Sequence, residues 1–477
     1  MTQKTKDLTA ATKPKSNGTD TNRIDTAPEK PTTARPVSVL PTEVHSTLSR
    51  HMLVDGFDLV VDLKRSQGSY LYDSRSKKRY LDFFTFFASG SVGMNHPKMT
   101  APEFLEKLAY VAVNKPSNSD AYSVEMAEFV ETFARIAQPA YFPYAFFIDG
   151  GALANENAMK TAFDWKVRKN FIKGFTEERG RQVIHFRRAF HGRTGYTLSL
   201  TNTDPTKTNY FPKFKWPRIH NPAVRFPLNE ENLAQVKKEE AVALKQIKEA
   251  IINNPDDIAA LIIEPIQGEG GDNHFRKEFL QELRTICDEE EILLIFDEVQ
   301  TGVGITGKMW AHEYLVKPDM MSFGKKTQIC GFVSSTRIDD VLENVFHKSS
   351  RINSTFGGNL VDMVRFTRLL EIIQEENLVE NARVVGDYLL EQLHVLEADF
   401  PTIVRNARGR GLFCAIDIDT AQNRDQLKTK AYEEGLILIG CGDHSIRFRP
   451  PLNVRKEEVE EGFKIIRQAL EEIDAGE

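Results

Sequence analysis

Short, nearly unbroken apolar runs recur along this chain between helical patterns, and several end abruptly in charge. Residues 145–148, Gln182–Phe186, Ile258–Ile263 and 292–296 are the clearest. They are shorter than ordinary helices and lack the alternation of a half-exposed strand. Runs of this kind suit strands buried on both faces, as in parallel sheets covered by helices. Because they alternate with helical patterns from about Asn95 onward, they predict an α/β fold with a mostly parallel sheet. Reactive groups in such sheets collect beyond the carboxyl ends of the strands.

Two of these ends carry opposite charge. Leu293-Leu294-Ile295-Phe296 runs into Asp297-Glu298-Val299-Gln300, and Asp319-Met320-Met321-Ser322-Phe323-Gly324 runs into Lys325-Lys326. Carboxylates at one strand end and an amine at a nearby one suit pyridoxal phosphate, whose aldehyde needs a lysine and whose pyridine nitrogen needs an acid. Asp-Glu after an apolar strand also serves magnesium in nucleotide hydrolases, and residues 302–308 match the glycine and lysine spacing of a phosphate loop. Met309 stands where that loop needs Ser or Thr, and the loop should precede the carboxylate strand. Taken alone, a lysine and an aspartate at strand ends are more often surface charges.

The 477 residues exceed one simple core, so two or three packed units are expected. Net charge is −6, with acids and bases mixed and no basic stripe with interleaved aromatics, which argues against nucleic acid. Cys287, Cys330, Cys414 and Cys441 form no Cys-x-x-Cys pair, so neither a disulfide framework nor a metal site is indicated, and a reducing cytoplasm fits. No run approaches the length of a membrane helix.

Residues 1–37 read as a disordered tail, poor in apolar residues. Residues 38–94 contain a hairpin, 69–73 with 79–83 across a polar turn, and form the first segment of a smaller unit. Residues 95–358 carry the alternating pattern of the large domain, including a charged helix over 229–253. Residues 359–477 read as a C-terminal α+β unit: a helical pattern to Val395, strands at 414–418 and 436–439, and a last helix over 456–473.

Four further stretches bear chemistry. Residues 149–160 follow a strand, and their small residues let helix-start amides approach a phosphate, although an ordinary glycine turn reads the same way. In Phe190-His191-Gly192-Arg193 the ring can stack on a cofactor and the guanidinium can clamp a carboxylate, while a lone His beside Gly is more often packed than catalytic. Glu264-Pro265-Ile266-Gln267-Gly268-Glu269 ends a strand with two carboxylates, at least one of which is expected to be a structural partner. Ile446-Arg447-Phe448-Arg449 alternates bases with apolar groups, as an edge strand presenting arginines to a cleft does.

Together with Asn353-Ser354-Thr355-Phe356-Gly357-Gly358-Asn359, these ordered motifs resemble the subgroup III, fold-type I pyridoxal phosphate aminotransferases from about residue 40 onward. The resemblance implies that Lys325 holds the cofactor, the family's Pro-Asp-x-x-x-x-Gly-Lys pattern being met by Pro318, Asp319, Gly324 and Lys325, with Lys326 a bystander. It implies Asp297 at the pyridine nitrogen, Phe190 on the ring, Gln300 near the phenolic oxygen, and Gly151 and Ala152 at the phosphate. Thr355 is implied to reach the phosphate of a neighbouring subunit in an obligate homodimer. The implied substrate residues are Arg193, Glu269, Gln300, Asn353 and Arg447, with Glu269 a charge switch on Arg447 and a member of the catalytic set. Many relatives have a glycine-rich run after the lysine, whereas Lys325-Lys326-Thr327-Gln328-Ile329-Cys330-Gly331 follows the form of the lysine-using subgroup. The implied reaction moves the terminal amino group of L-lysine to 2-oxoglutarate, giving glutamate; ornithine, 4-aminobutyrate or a diamine are the alternative donors.

Overall fold

The computed structural model describes residues 37–476, so all but Val37 of the expected tail lies outside the described residues. Residues 37–55 and 56–476 belong to separate compact units. The described part of the first holds a helical turn, Pro41–Glu43, running into a short helix, Val44–Ser49. Proline opens that turn, where an amide proton would have no partner within the helix.

The second unit is built on a seven-stranded sheet in the order Tyr144–Ile148, Cys330–Ser334, Met320–Phe323, Leu293–Asp297, Ile258–Ile263, Gln182–Phe186, Arg218–Ile219. All pairings are parallel except the two made by Cys330–Ser334, which runs antiparallel to both neighbours. The expected strands are all present. Their uniform apolarity follows from the pleat, which sends alternate side chains to opposite faces. Leu293 and Ile295 pack with Met159 and Trp165 of the helix Gly151–Ile172. Leu294 and Phe296 pack with Phe279 and Leu283 of the helix Lys277–Glu289 on the other side. Each such side chain contributes about 1.5–3 kcal/mol by leaving water.

The C-terminal region holds a four-stranded antiparallel sheet, ordered Val404–Arg410, Phe413–Ile418, Ser445–Phe448, Ile439–Cys441. This overturns the edge-strand reading of residues 446–449: Ser445–Phe448 is paired on both sides, and Arg447 within it and Arg449 just beyond it are both buried. The helical pattern after Asn359 divides into Leu360–Glu375 and Leu378–Asp399 because Asn377 takes a left-handed conformation, φ 53°. The expected hairpin pairs Tyr70–Tyr72 with Arg79–Asp82, and Leu436–Ile437 adds to it as a third, parallel strand.

Beyond Asp82 the chain makes a turn with four successive non-glycine residues at positive φ, Thr85 to Ala88, between 40° and 65°. Each costs roughly 1–2 kcal/mol relative to the right-handed form. Asp82 offsets part of this by accepting from the backbone N–H groups of Phe84 and Thr85 at 2.9 and 2.7 Å. Burial nevertheless pushes its carboxyl up to about 6. A folded pKa above the unfolded one means stability is lost as pH rises through the window between them, about 4 to 6, by on the order of 3 kcal/mol. Asp82→Asn keeps the acceptor oxygen and removes the titration, so the variant's melting temperature should gain on the parent's across that window and run parallel above it. Thermal unfolding at several pH values checks this.

Candidate active site

A cavity of about 290 Å³ opens at the carboxyl ends of the central strands, lined among others by Gly151, Ala152, Phe190, Arg193, Glu269, Asp297, Gln300 and Lys325. The parallel register explains the convergence. Phe296 lies opposite both Ile263 and Met321, and Asp297 lies opposite Ser322, so Glu264, Asp297 and Lys325 all follow strand ends on one edge of the sheet.

Asp297 is buried and accepts three hydrogen bonds: from Asn155 Nδ2 at 2.7 Å, from the His191 ring at 2.8 Å, and from the Val299 amide at 3.1 Å. Asn155 is itself fixed, donating also to the His191 carbonyl and accepting from Ser322 Oγ. His191, read from sequence as the uncertain member of its motif, positions Asp297, and its buried Nε2 has no partner among the described residues. Asn155 stood in a quoted motif without a role; its four-residue distance from Gly151 on one helix face was the available signal.

Lys325 sits at positive φ, 54°, in the turn Lys325–Thr327, and burial lowers the pKa of its amine from the ordinary lysine value. Such a conformation in a non-glycine residue is typical of strained functional positions. Lys326 points away from the cavity lining, is fully buried and donates to the Gln300 carbonyl at 3.3 Å, so the two adjacent lysines have separate surroundings. Gln300 is held a second time by its side chain, whose Oε1 accepts from Arg449 Nη2 at 3.2 Å. Arg449 pairs with buried Asp272 at 2.5 Å and stacks on Phe413. A Cβ at Gly268 would stand 2.1 Å from Gln300 Oε1, so a side chain there would displace the end of Gln300.

The helix Gly151–Ile172 begins at the cavity behind Gly150, φ 100°, without a side-chain cap, so its first amides are available to an anion. Gly192, φ 125°, lets the Phe190 loop lie against that helix start: a Cβ would come 2.4 Å from Ala152 Cβ. Glu264 turns out to be the structural member of its pair, accepting from the amides of Phe190 and Gly268 at 2.9 and 3.1 Å, with burial pushing its carboxyl up to about 7.

Glu269 accepts from Arg447 Nη2 at 2.7 Å on one oxygen and from Lys207 Nζ at 2.5 Å on the other. Burial alone would raise its pKa, but the attraction of Arg447 and Lys207 prevails and holds it down at about 2, so it is a carboxylate throughout the neutral range. Arg447 is buried, and its Nε and Nη1 have no partner among the described residues; the Phe87 ring lies 5.7 Å from its guanidinium. Arg193 lines the cavity and makes no ion pair among the described residues. Asn353 and Thr355 are exposed and do not line this cavity.

These residues fit pyridoxal phosphate. A buried amine, a triply hydrogen-bonded carboxylate, an aromatic face and an uncapped helix start meet in one cavity, and the His191 ring nitrogen left without a partner in its wall suits a polar occupant. The Aminotransferase class-III profile matches residues 54–470. The L-lysine-epsilon aminotransferase of Mycobacterium tuberculosis is 53% identical over 90% of this chain and 96% of its own. That of Streptomyces clavuligerus is 49% identical, covering 90% and 94%. The solved lysine aminotransferase from M. tuberculosis, in the internal aldimine form, superposes with a TM-score of 0.89 at 52% identity, covering 91% of this chain and 99% of that one. With a profile match over most of its length and the buried lysine, the hydrogen-bonded aspartate and the uncapped helix start in one cavity, the chain belongs to the class-III, fold-type I, pyridoxal-phosphate-dependent aminotransferases.

Proposed function

We propose that this enzyme is an L-lysine 6-aminotransferase that passes the terminal amino group of lysine to 2-oxoglutarate, giving glutamate and 2-aminoadipate 6-semialdehyde. The observation that carries this reading is Glu269 paired with Arg447 beside Lys325 and Arg193. The names of the relatives that cover nine-tenths of the chain support lysine over ornithine or 4-aminobutyrate.

Pyridoxal phosphate supplies an electron sink for the carbon that carries the reacting amine. The residues would act around it as follows. Lys325 would anchor its aldehyde carbon, Asp297 would face its ring nitrogen, Phe190 would cover the ring, Gln300 would approach its phenolic oxygen, and Gly151 and Ala152 would receive the phosphate. Lys325 Nζ would also serve as the base toward the proton on the reacting carbon, and its lowered pKa leaves more of it uncharged for that task.

The two substrates differ in charge where they approach Arg447. The ε-end of lysine is cationic, whereas 2-oxoglutarate brings a carboxylate there and a second one for Arg193. Glu269 neutralises Arg447 for the first and would withdraw for the second. Arg193 would hold the distal carboxylate in both half-reactions.

We further infer a homodimer in the cytoplasm, with Asn353 and Thr355 reaching the partner's site. Support comes from their exposure away from this chain's cavity and from the exposed apolar side chains Tyr110, Val113, Tyr122 and Val124, each at least 70% accessible. All four cysteines are buried and free, as a reducing compartment requires. No helix among the described residues is long and apolar enough to cross a membrane. The unit boundaries at 94/95 and 358/359 belong to the same reading.

Lys325→Ala should remove the absorbance of the lysine-linked cofactor and lower kcat by about a thousandfold or more. Initial rates across L-lysine, ornithine and 4-aminobutyrate should rank lysine first; turnover of ornithine without turnover of lysine would replace the donor. Glu269→Gln should shift the ratio of the two half-reaction rates about tenfold toward 2-oxoglutarate, because Arg447 then stays exposed to incoming carboxylates. Single-turnover absorbance changes with each substrate measure this ratio.

A further inference from the structure

Lys207 is absent from every motif discussed above, yet its Nζ makes the shortest contact to the proposed switch, 2.5 Å from Glu269 Oε1, while Arg447 occupies Oε2. It lies just beyond the short helix Thr197–Leu200 that follows the Phe190 loop, in the turn Pro205–Lys207, which Asp204 caps by accepting from the Thr206 amide at 2.8 Å. Its ammonium also lies 5.7 Å from the Phe190 ring. Both members of the Lys207–Glu269 pair are about a quarter exposed and Glu269 lines the cavity, whereas Arg447 is buried.

A simple charge count defines the problem that Lys207 solves. With the donor's amine in place, Arg447 and Glu269 cancel. When 2-oxoglutarate arrives, its carboxylate and that of Glu269 would compete for the single guanidinium, and a partly buried carboxylate without a partner is costly. Adding Lys207 makes two cations for two carboxylates. We propose that Lys207 is the positioning residue that receives Glu269 when it leaves Arg447, so that Arg447 can take the carboxylate of a 2-oxo acid. Glu269 need not break both of its ion pairs: it keeps its Lys207 contact and gives up one oxygen's bond to Arg447. Lys207 thereby selects the acceptor half-reaction and leaves the donor half-reaction almost untouched. The inference rests on the reading of Glu269 as a charge switch.

The test is a pair of single-turnover titrations on the holoenzyme, one with L-lysine and one with 2-oxoglutarate, for Lys207→Met, Lys207→Arg, Glu269→Gln and the Lys207→Met/Glu269→Gln double variant. Lys207→Met should weaken the apparent affinity for 2-oxoglutarate about tenfold, the scale of one charge-assisted contact, and change the lysine half-reaction less than about twofold. Lys207→Arg should restore most of the loss. In the Glu269→Gln background Lys207→Met should add nothing, because no carboxylate is left to receive. Equal losses in both half-reactions, or none in either, would overturn the role of Lys207. If Glu269→Gln alone leaves the ratio of half-reactions unchanged, the switch itself is wrong and this inference falls with it. A ratio that responds to Glu269→Gln but not to Lys207→Met removes Lys207 alone.

Discussion

The register of three parallel strands governs everything else in this molecule. Ile258–Ile263, Leu293–Asp297 and Met320–Phe323 lie side by side with Ile263, Phe296 and Met321 level. Each chain therefore leaves the sheet at nearly the same height, and the groups just beyond the strands meet without any long loop having to deliver them. Because side chains alternate along a strand, a slip of one residue would exchange the two faces and turn Asp297 away from Asn155 and His191. Two apolar layers, one against Trp165 and the other against Phe279, oppose that slip. The chemistry is held in place by the hydrophobic packing beneath it.

Charge in the site is managed in pairs and triples rather than singly. Asp297 is surrounded by donors, Glu264 is occupied by two amides, Glu269 lies between two cations, and Asp272 neutralises Arg449. Such mutual satisfaction is what allows several ionisable groups to share a small, partly dry volume. Among the atoms left over, His191 Nε2 belongs to a residue of the cavity's own wall, and two nitrogens of Arg447 lie buried behind Glu269, which lines it.

Much of this was legible in the sequence. The apolar runs foretold the parallel strands because burial on both faces leaves no alternation to confuse them with exposed ones, and their charged ends indicated Asp297 and Lys325. Choosing Lys325 over its neighbour needed the resemblance, since two adjacent lysines differ only in which way the backbone turns at positive φ. The antiparallel Cys330–Ser334 strand was hidden in an apolar segment that bore no direction. The place of the Arg447 strand misled, because alternating bases suggest a sheet edge, whereas the strand is paired on both sides; the partners of Arg447 and Arg449, Glu269 and Asp272, lie more than 170 residues away. Lys207 left no local trace either, being brought to Glu269 by a loop whose course no pattern of residue types encodes.

Asp297 and Glu298 are neighbours in sequence but lead separate lives. Glu298 is fully buried on the opposite side, where its two oxygens accept from the amides of Ala311 and His312, the His312 ring and Thr301. It thereby pins the loop over 301–312 against the sheet, and through it the stretch that holds Gln300. A substitution at Glu298 would release that loop while leaving the three donors of Asp297 in place: of two adjacent carboxylates, one faces the cavity and the other is a rivet.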